Sequence, residues 1–184
     1  TDTGIGGIAS AIPLITKGTA EAENANADIN YFLGIDSATN TLCADFEEAA
    51  SGAVPSQNHP VCGTTPIVNG TWYHAAATYD GTTWKLYLNG LLEASLVVGQ
   101  PANAVGIPPV ALGTSIESNG NTTQGYFNGS LDEVRIWNYP RTLAEIQGNA
   151  NAQISTAQTG LLARWSLNED AGTSVHGSAG TTVD

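Results

Sequence analysis

The residues whose types and spacing could support chemistry lie in two acidic runs. In the first, Asp45-Phe46-Glu47-Glu48, alternation along a strand would place Asp45 and Glu47 on one face, about 5–7 Å apart. Paired carboxylates at this spacing could serve a retaining glycosidase, and both residues are therefore candidates for ligand binding. The alternative, which we favour, is a solvated strand face that runs into an acidic loop, because the third carboxylate that such acid/base chemistry would use is missing.

The second run is Asp132-Glu133, which opens a predicted strand over 131–137. Asp132 could supply a carboxylate to a structural Ca²⁺ ion, which takes roughly six to eight oxygen ligands and accepts backbone carbonyls among them. The alternative is that Asp132 caps the preceding turn through its own backbone. Glu133 is expected at the surface or in an ion pair, with Arg135 as its partner on the same strand face.

Aromatic residues supply a second kind of candidate. Tyr31, Tyr126 and Tyr139 are the aromatic side chains expected to be free enough to stack on sugar rings, so they are predicted as ligand-binding residues.

Several other kinds of site are not expected. His59, His74 and His176 are scattered, with no second ligand-type residue at helical or hairpin spacing, which argues against zinc. His74 is expected to be a packed, hydrogen-bonded structural residue. The sequence contains neither a G-x-S-x-G nucleophile motif nor a Gly-rich phosphate loop before a helix.

The charge balance narrows the partners. Acidic residues outnumber basic residues by 17 to 5, and the formal net charge is −12. No basic patch is available to neutralise phosphates or anionic lipids, so neither nucleic acid nor membrane insertion is expected. The charge fits an extracellular protein or one that binds divalent cations. The sequence has no methionine, signal peptide or spanning segment, so we expect a processed product or part of a longer chain.

The two cysteines, Cys43 and Cys62, flank a stretch that contains AASGAVPSQNHP and is predicted as a loop between two strands. Two cysteines that close such a hairpin loop favour a disulfide and an oxidising, extracellular compartment. The alternative is a pair of free, half-buried thiols.

Short strands with turn punctuation dominate the predicted elements. Asn89-Gly90 is a strong hairpin signal, and Asp80-Gly81 is predicted as a second turn of that kind. Trp84, Leu86 and Leu88 should share one face of a strand, opposite Lys85 and Tyr87. The predicted strands are Ala11–Thr16, Asn30–Asp36, Thr41–Glu47, Thr71–Asp80, Trp84–Leu88, Leu91–Val98, Val110–Thr114, Gly125–Phe127, Leu131–Trp137 and Gly160–Ser166.

One helix is predicted, over 142–147. Thr142 is its N-cap, Glu145 completes a capping box, and Gly148 ends it. Many short antiparallel strands with one short helix indicate an all-β, two-sheet jelly-roll sandwich. We predict a single domain over 1–184, with a loose segment at 1–10 and a tail at 170–184.

Three blocks, in this order and spacing, resemble the laminin G-like, concanavalin A-type jelly-roll domains of secreted bacterial proteins. The blocks are WYHAAATYDGTTWKLYLNG, FNGSLDEVRIWNYPRTLAEIQ and GLLARWSLNEDAGTSV, and the resemblance spans about residues 11 to 178. It implies that Asp132, at the start of D-E-V-R-I-W, helps to hold a structural calcium together with groups from an N-terminal strand. The glucanase branch of this fold carries E-x-D-x-E, which the run at Asp45 does not match.

The resemblance also implies two strands that do not occur before Ile12, an apolar "L-x-F-D-G-x-x-D-Y-V" segment and an "F-T-x-E-x-W" segment. The chain is therefore expected to start inside the domain. A separate cleaved piece, a segment outside this sequence or a neighbouring subunit would supply the missing strands.

The function expected from these features is a non-catalytic extracellular recognition or adhesion module. It would be braced by calcium and would bind a polysaccharide or a glycoprotein. The first alternative is a structural subunit of an extracellular filament or surface layer, completed by strand exchange with neighbouring copies of itself. The second alternative is a glycoside hydrolase of the same fold.

Overall fold

The structure is a computed structural model that describes residues 8, 10–18, 29–116, 122–169, 174 and 177–179. The chain divides into two compact units, Thr1–Asn128 and Gly129–Asp184. The elements are β1 (Ala11–Lys17), β2 (Tyr31–Asp36), β3 (Thr41–Asp45), β4 (Val61–Pro66), β5 (Ala75–Tyr79), β6 (Thr83–Leu88), β7 (Leu91–Val97), β8 (Val110–Leu112), β9 (Ser115–Ile116), β10 (Thr123–Gln124), β11 (Val134–Trp137), α1 (Leu143–Asn149), β12 (Leu161–Trp165) and β13 (Gly177–Ala179).

The first unit is built on a five-stranded antiparallel sheet in the order β4-β3-β2-β1-β8. Its inner strand β3 is buried at every position, because both of its faces are covered. Leu42 and Ala44 belong to one apolar cluster, whereas Cys43 belongs to a second cluster with Phe32 on the opposite face. A strand buried on both faces positions the residues that follow it inside the protein.

A three-stranded antiparallel sheet, β5-β6-β7, packs against the face of β3 that carries Leu42 and Ala44. As predicted, Trp84, Leu86 and Leu88 share the buried face of β6, although Tyr87 on the other face is buried as well. Asn89 and Gly90 have φ values of 51° and 73°, which the predicted two-residue hairpin requires. The two packed sheets confirm the predicted β-sandwich.

The second unit contains the antiparallel sheet β11-β12-β13 and the helix α1. The predicted capping box is present, since Thr142 and Glu145 bond to each other's backbone N–H groups. The prediction that Gly148 ends the helix is wrong. The helix runs to Asn149 because Ala150, at the C-cap, keeps a right-handed helical conformation and no left-handed residue is needed.

Several strand predictions need correction. Gly125–Phe127 is not a strand, because Gly125 has a φ of 64°, and the pairing runs instead between β10 and β9. The predicted Leu131–Trp137 begins only at Val134, because Glu133 has a φ of 51°. Thr71–Asp80 is reduced to β5. The strand β4 follows the predicted loop, yet its polar Gly-Thr-Thr sequence carries little strand signal.

The chain ends lie largely outside the described residues, as does His176, so the predicted loose segment at 1–10 is not assessed. Within the predicted tail, Gly177–Ala179 pairs with β12. Among the described residues, no helix has the length and apolar character needed to cross a bilayer.

Candidate functional site

The acidic run that begins at the last residue of β3 is buried, and the expected solvated strand face is therefore wrong. Asp45, Glu47 and Glu48 are 0%, 3% and 2% exposed. The chain returns over them, since Glu47 forms a β-bridge with Asn58, and Glu48 forms one with Ala102. Backbone bonds from Glu48 N to the Gln57 carbonyl and from Ser56 N to the Glu48 carbonyl hold the return segment in place.

Alternation sorts the side chains of this run onto two sides. The Phe46 ring lies in the sandwich core, with ring centroids 4.7 Å from Tyr79, 5.3 Å from Trp84 and 5.2 Å from His59. His59 Nε2 in turn lies 3.0 Å from Glu48 Oε1. Asp45 and Glu47 flank Phe46 in sequence, so they point away from that core.

Asp45 is held in an unusual electrostatic state. Its Oδ1 accepts a 2.8 Å hydrogen bond from the His59 backbone N–H, whereas its buried Oδ2 has no hydrogen-bond partner among the described residues. Burial raises the pKa of Asp45 to about 8, and the nearby charge of Glu47 adds to that rise. The structure thus brings the predicted carboxylate pair together, but it places the pair beneath the surface.

In the second acidic run, Glu133 is the residue that forms ion pairs. It accepts hydrogen bonds from Arg135 and from Arg164, which confirms the predicted ion pair and adds a second arginine. Burial would raise the pKa of Glu133, but the bonds from Arg164 and Arg135 outweigh burial and hold that pKa below its usual value. Asp132 next to it is exposed.

Calcium at Asp132 stays a prediction. Within the described part of the chain, no group of three or more His, Cys, Asp or Glu side chains is placed to hold a metal ion. Asp132 would therefore need backbone carbonyls or residues from outside this set to complete a calcium shell.

The three candidate tyrosines differ in how much of each ring is free. Tyr31 is half-buried, and burial raises its pKa to about 12. Tyr126 is 70% exposed, and its hydroxyl lies 2.8 Å from Thr123 Oγ1. Tyr139 is 37% exposed, packs edge-on against Trp137, and donates a hydrogen bond to Glu145. Trp137 itself is only partly buried, with the Arg141 guanidinium 3.8 Å above its ring.

Trp72 was not predicted as a ligand-binding residue, yet it is the most exposed of the four tryptophans. It is 67% exposed and precedes β5. Val68 N bonds to the Tyr73 hydroxyl, and His74 N bonds to Asn89 Oδ1, so the loop around Trp72 is tied to the β6–β7 turn. The His74 backbone exchanges two hydrogen bonds with Asn89, and the structural role expected of its side chain stays a prediction.

Residues 37–40, 67–74 and 89–92 together form what we call the turn surface. Ile67 N bonds to the Asn40 carbonyl, which joins the first two segments, and the His74–Asn89 bonds join the last two. None of the three segments contains Asp, Glu, Lys or Arg, although the whole chain carries a net charge of −12. The surface is therefore a neutral, amide-bearing patch around one exposed indole. A W-x-H loop next to an Asn-Gly turn is the sequence signal that could have located it.

The Cys43–Cys62 disulfide is present and lies between directly opposed residues of β3 and β4. It lies two residues before Asp45, so it pins the base of the segment that covers the buried acids.

Comparisons with known proteins agree with this architecture. A protein from Bacteroides ovatus, described as a candidate carbohydrate-binding protein, superposes with a TM-score of 0.65 at 18% identity, over 96% of this chain and 51% of that one. A heptameric SAP-like pentraxin from Limulus polyphemus gives a TM-score of 0.56 at 17% identity, over 94% of this chain and 77% of that one. At such identities the likeness concerns the fold.

Sequence comparison gives a shorter match and a longer one. Mouse (Mus musculus) pappalysin-1 is 31% identical over 77 residues, which span 42% of this chain and only 5% of that protein. The family model for the concanavalin A-like lectin/glucanases superfamily, of the laminin G type, matches residues 9–147, well over half of the sequence. The chain therefore belongs to the concanavalin A-like lectin/glucanase superfamily.

Proposed function

We propose that the chain is a non-catalytic, extracellular recognition module that binds the sugars of a polysaccharide or glycoprotein at its turn surface. The observation that carries this proposal is the Trp72 ring, which is two-thirds exposed although burial is the default for tryptophan. An exposed indole can stack on the apolar face of a sugar ring, and neighbouring amides can bond to the hydroxyl groups.

The neutrality of the turn surface supports an uncharged ligand. A strongly acidic chain would repel anionic ligands over most of its surface, and the turn surface adds no basic group to attract them. Asn69, Asn40 and Thr71 are exposed there, and they offer donors and acceptors without charge. Neutral glycans match this chemistry better than sulfated or uronic-acid polymers.

An extracellular location is supported by the Cys43–Cys62 disulfide, because such bonds persist in oxidising compartments. The proposed module is non-catalytic because Asp45 and Glu47 are buried beneath the surface, where a bound sugar would not reach them. Tyr126 and Tyr139, which are 70% and 37% exposed, remain proposed as additional sugar contacts.

Affinity electrophoresis against a panel of neutral and acidic polysaccharides tests the proposal, followed by calorimetry on any ligand that retards the protein. Trp72→Ala should weaken binding by about 2 kcal/mol, or ~30-fold, which is typical of a buried aromatic anchor. Val105→Ala, at another strongly exposed residue of the same unit, is the matched control and should bind normally. Unchanged affinity in Trp72→Ala would show that the turn surface is not the sugar-binding site. Tyr126→Ala and Tyr139→Ala test the other two rings in the same way.

The hydrolase alternative has its own assay. If Asp45 and Glu47 were catalytic, the native chain would release reducing sugar from β-glucans, and Asp45→Asn or Glu47→Gln would abolish the release. We expect no release by the native protein.

A second candidate function is a structural subunit completed by strand exchange. One observation favours it: among the described residues, β5 pairs with β6 along one edge only, which leaves its other edge able to accept a strand. The opposite situation holds at β4, where the Glu93 carboxylate accepts the Thr64 and Thr65 N–H groups of that edge. Light scattering of the purified chain over a wide concentration range decides this point. A monomer at every concentration would exclude assembly by exchange.

A further inference from the structure

The buried acids of the first unit face a third oxygen-bearing side chain. Phe46 and His59 contact each other on the core side, so their sequence neighbours Asp45, Glu47 and Asn58 point to the other side. Glu47 and Asn58 are directly opposed in an antiparallel bridge, which places their Cα atoms roughly 5 Å apart. Three oxygen-bearing side chains thus converge behind the sandwich core.

Two of these side chains have oxygens that the fold leaves unsatisfied. Asp45 Oδ2 and Asn58 Oδ1 are buried and have no hydrogen-bond partner within the described residues. Both atoms are acceptors, and burying an acceptor without a partner costs about 1–3 kcal/mol, more if it is charged. A cation or a hydrogen-bond donor at this position would satisfy both oxygens.

No lysine or arginine of the protein supplies a positive charge there. The sequence contains only five lysines and arginines, and the structure describes all of them. Lys17 Nζ donates to the carbonyls of Gly106 and Pro108, and Lys85 lies on β6 of the other sheet, next to Asp80. The arginines belong to the second unit and are engaged there by Glu133, Glu145 and Trp137.

We propose that Asp45, Glu47 and Asn58 form a buried, oxygen-lined site for one Ca²⁺ ion. Carboxylate and amide oxygens are the ligands that Ca²⁺ prefers, and backbone carbonyls or water complete its shell of roughly six to eight. Structural zinc sites are built from Cys and His ligands, which this site lacks, and Mg²⁺ keeps several waters, for which a buried site has little room. The site contains two acids and one amide. It is therefore compatible with the finding that no three His, Cys, Asp or Glu side chains of the described residues are grouped to hold a metal ion.

A bound Ca²⁺ would have a structural effect. It would tie β3 to the returning segment at Asn58, beyond the point where the disulfide joins β3 to β4.

Two measurements on the whole chain test the site. In the first, the protein is stripped with chelator, and its melting curve is recorded with and without added Ca²⁺ or Mg²⁺. In the second, Ca²⁺ is titrated into the stripped protein in a calorimeter. The native protein should melt at a higher temperature with Ca²⁺, and more so than with Mg²⁺. Asp45→Asn preserves the shape of the side chain and should lower Ca²⁺ affinity at least ~tenfold. The matched control, Asp80→Asn, lies in an exposed turn and should keep the native affinity. Asp132→Asn is measured beside it to separate this site from the calcium site predicted at Asp132.

A gain-of-function variant guards against a variant that fails to fold. Asn58→Asp adds a third carboxylate, so it should melt lower than the native chain in chelator and show a larger rise with Ca²⁺. Any of three results would overturn the site: no Ca²⁺ effect on the native protein, equal Ca²⁺ affinity in Asp45→Asn and the native chain, or loss of affinity only in Asp132→Asn. The last result would move the ion to Asp132. Sugar binding by Trp72 is measured separately, so its failure would leave this test unaffected.

Discussion

At the scale of single residues, neighbouring side chains of the same type have opposite fates. Asp132 is exposed, whereas Glu133 has a φ of 51° and accepts bonds from two arginines, one of which, Arg164, is 1% exposed. A buried guanidinium depends on its carboxylate, because loss of one partner leaves an uncompensated charge.

Glu133→Gln should therefore destabilise the protein by about 3 kcal/mol, measured by urea unfolding. Asp132→Asn, one residue away, is the control and should change stability by less than ~0.5 kcal/mol. Equal effects of the two substitutions would show that the arginine pairs contribute little.

Gly34 in β2 lies where no larger side chain fits. A Cβ at this position would overlap the Phe32 ring and the Ile12 carbonyl oxygen. Gly34→Ala should cost about 1–3 kcal/mol in the free energy of unfolding, since the neighbouring backbone cannot move away cheaply. Gly148→Ala is the contrast, because nothing lies within 4 Å of a Cβ built in that helical position. It should stabilise the protein by roughly 0.5–1 kcal/mol. A stabilising Gly34→Ala would contradict the predicted overlap.

At the scale of elements, the helix α1 depends on its first turn. Glu145 accepts hydrogen bonds from the Thr142 backbone, the Thr142 hydroxyl and the Tyr139 hydroxyl, and these lower the pKa of Glu145 to about 2. Because this pKa lies below the usual value near 4.5, the stabilisation is complete above pH 4.5 and is lost as the pH falls towards 2.

Carboxyl chemical shifts measured by NMR during an acid titration would check this prediction. Thr142→Ala should raise the pKa of Glu145 towards its usual value and cost about 1 kcal/mol of stability through the lost cap. Thr156→Ala, outside the helix, should do neither. A Glu145 that titrates near 4.5 in the native protein would contradict the capping geometry.

Element prediction succeeded where a signal is local. The Asn89-Gly90 hairpin, the alternation along β6 and the N-cap of α1 each depend on residues within a few positions of one another. The predicted helix end at Gly148 was wrong because a helical glycine need not adopt a left-handed conformation. The strand β4 has a polar sequence, and its pairing with β3 arises from a partner about twenty residues earlier.

At the scale of the whole molecule, the Cys43–Cys62 disulfide closes a loop with a sequence separation of 19. Closing a loop of this length stabilises a fold by about 3 kcal/mol. Reduction, or the double substitution Cys43→Ser with Cys62→Ser, should lower the melting temperature by roughly 6–12 °C. Reductant added to the double variant should have no further effect. An unchanged melting temperature on reduction of the native protein would show that sheet packing alone holds the covering segment.

The sequence by itself determined the fold family, because two of its three blocks, residues 72–90 and 127–147, lie within the family match over residues 9–147. It also indicated the disulfide and the acidic pairs. Only the tertiary structure decided what those acids do: a return of the chain from residue 49 to residue 60 buries Asp45 and Glu47, and a positive φ directs Glu133 rather than Asp132 to two arginines. Burial and ion pairing depend on chain segments distant in sequence, and no pattern within a strand records where those segments will lie.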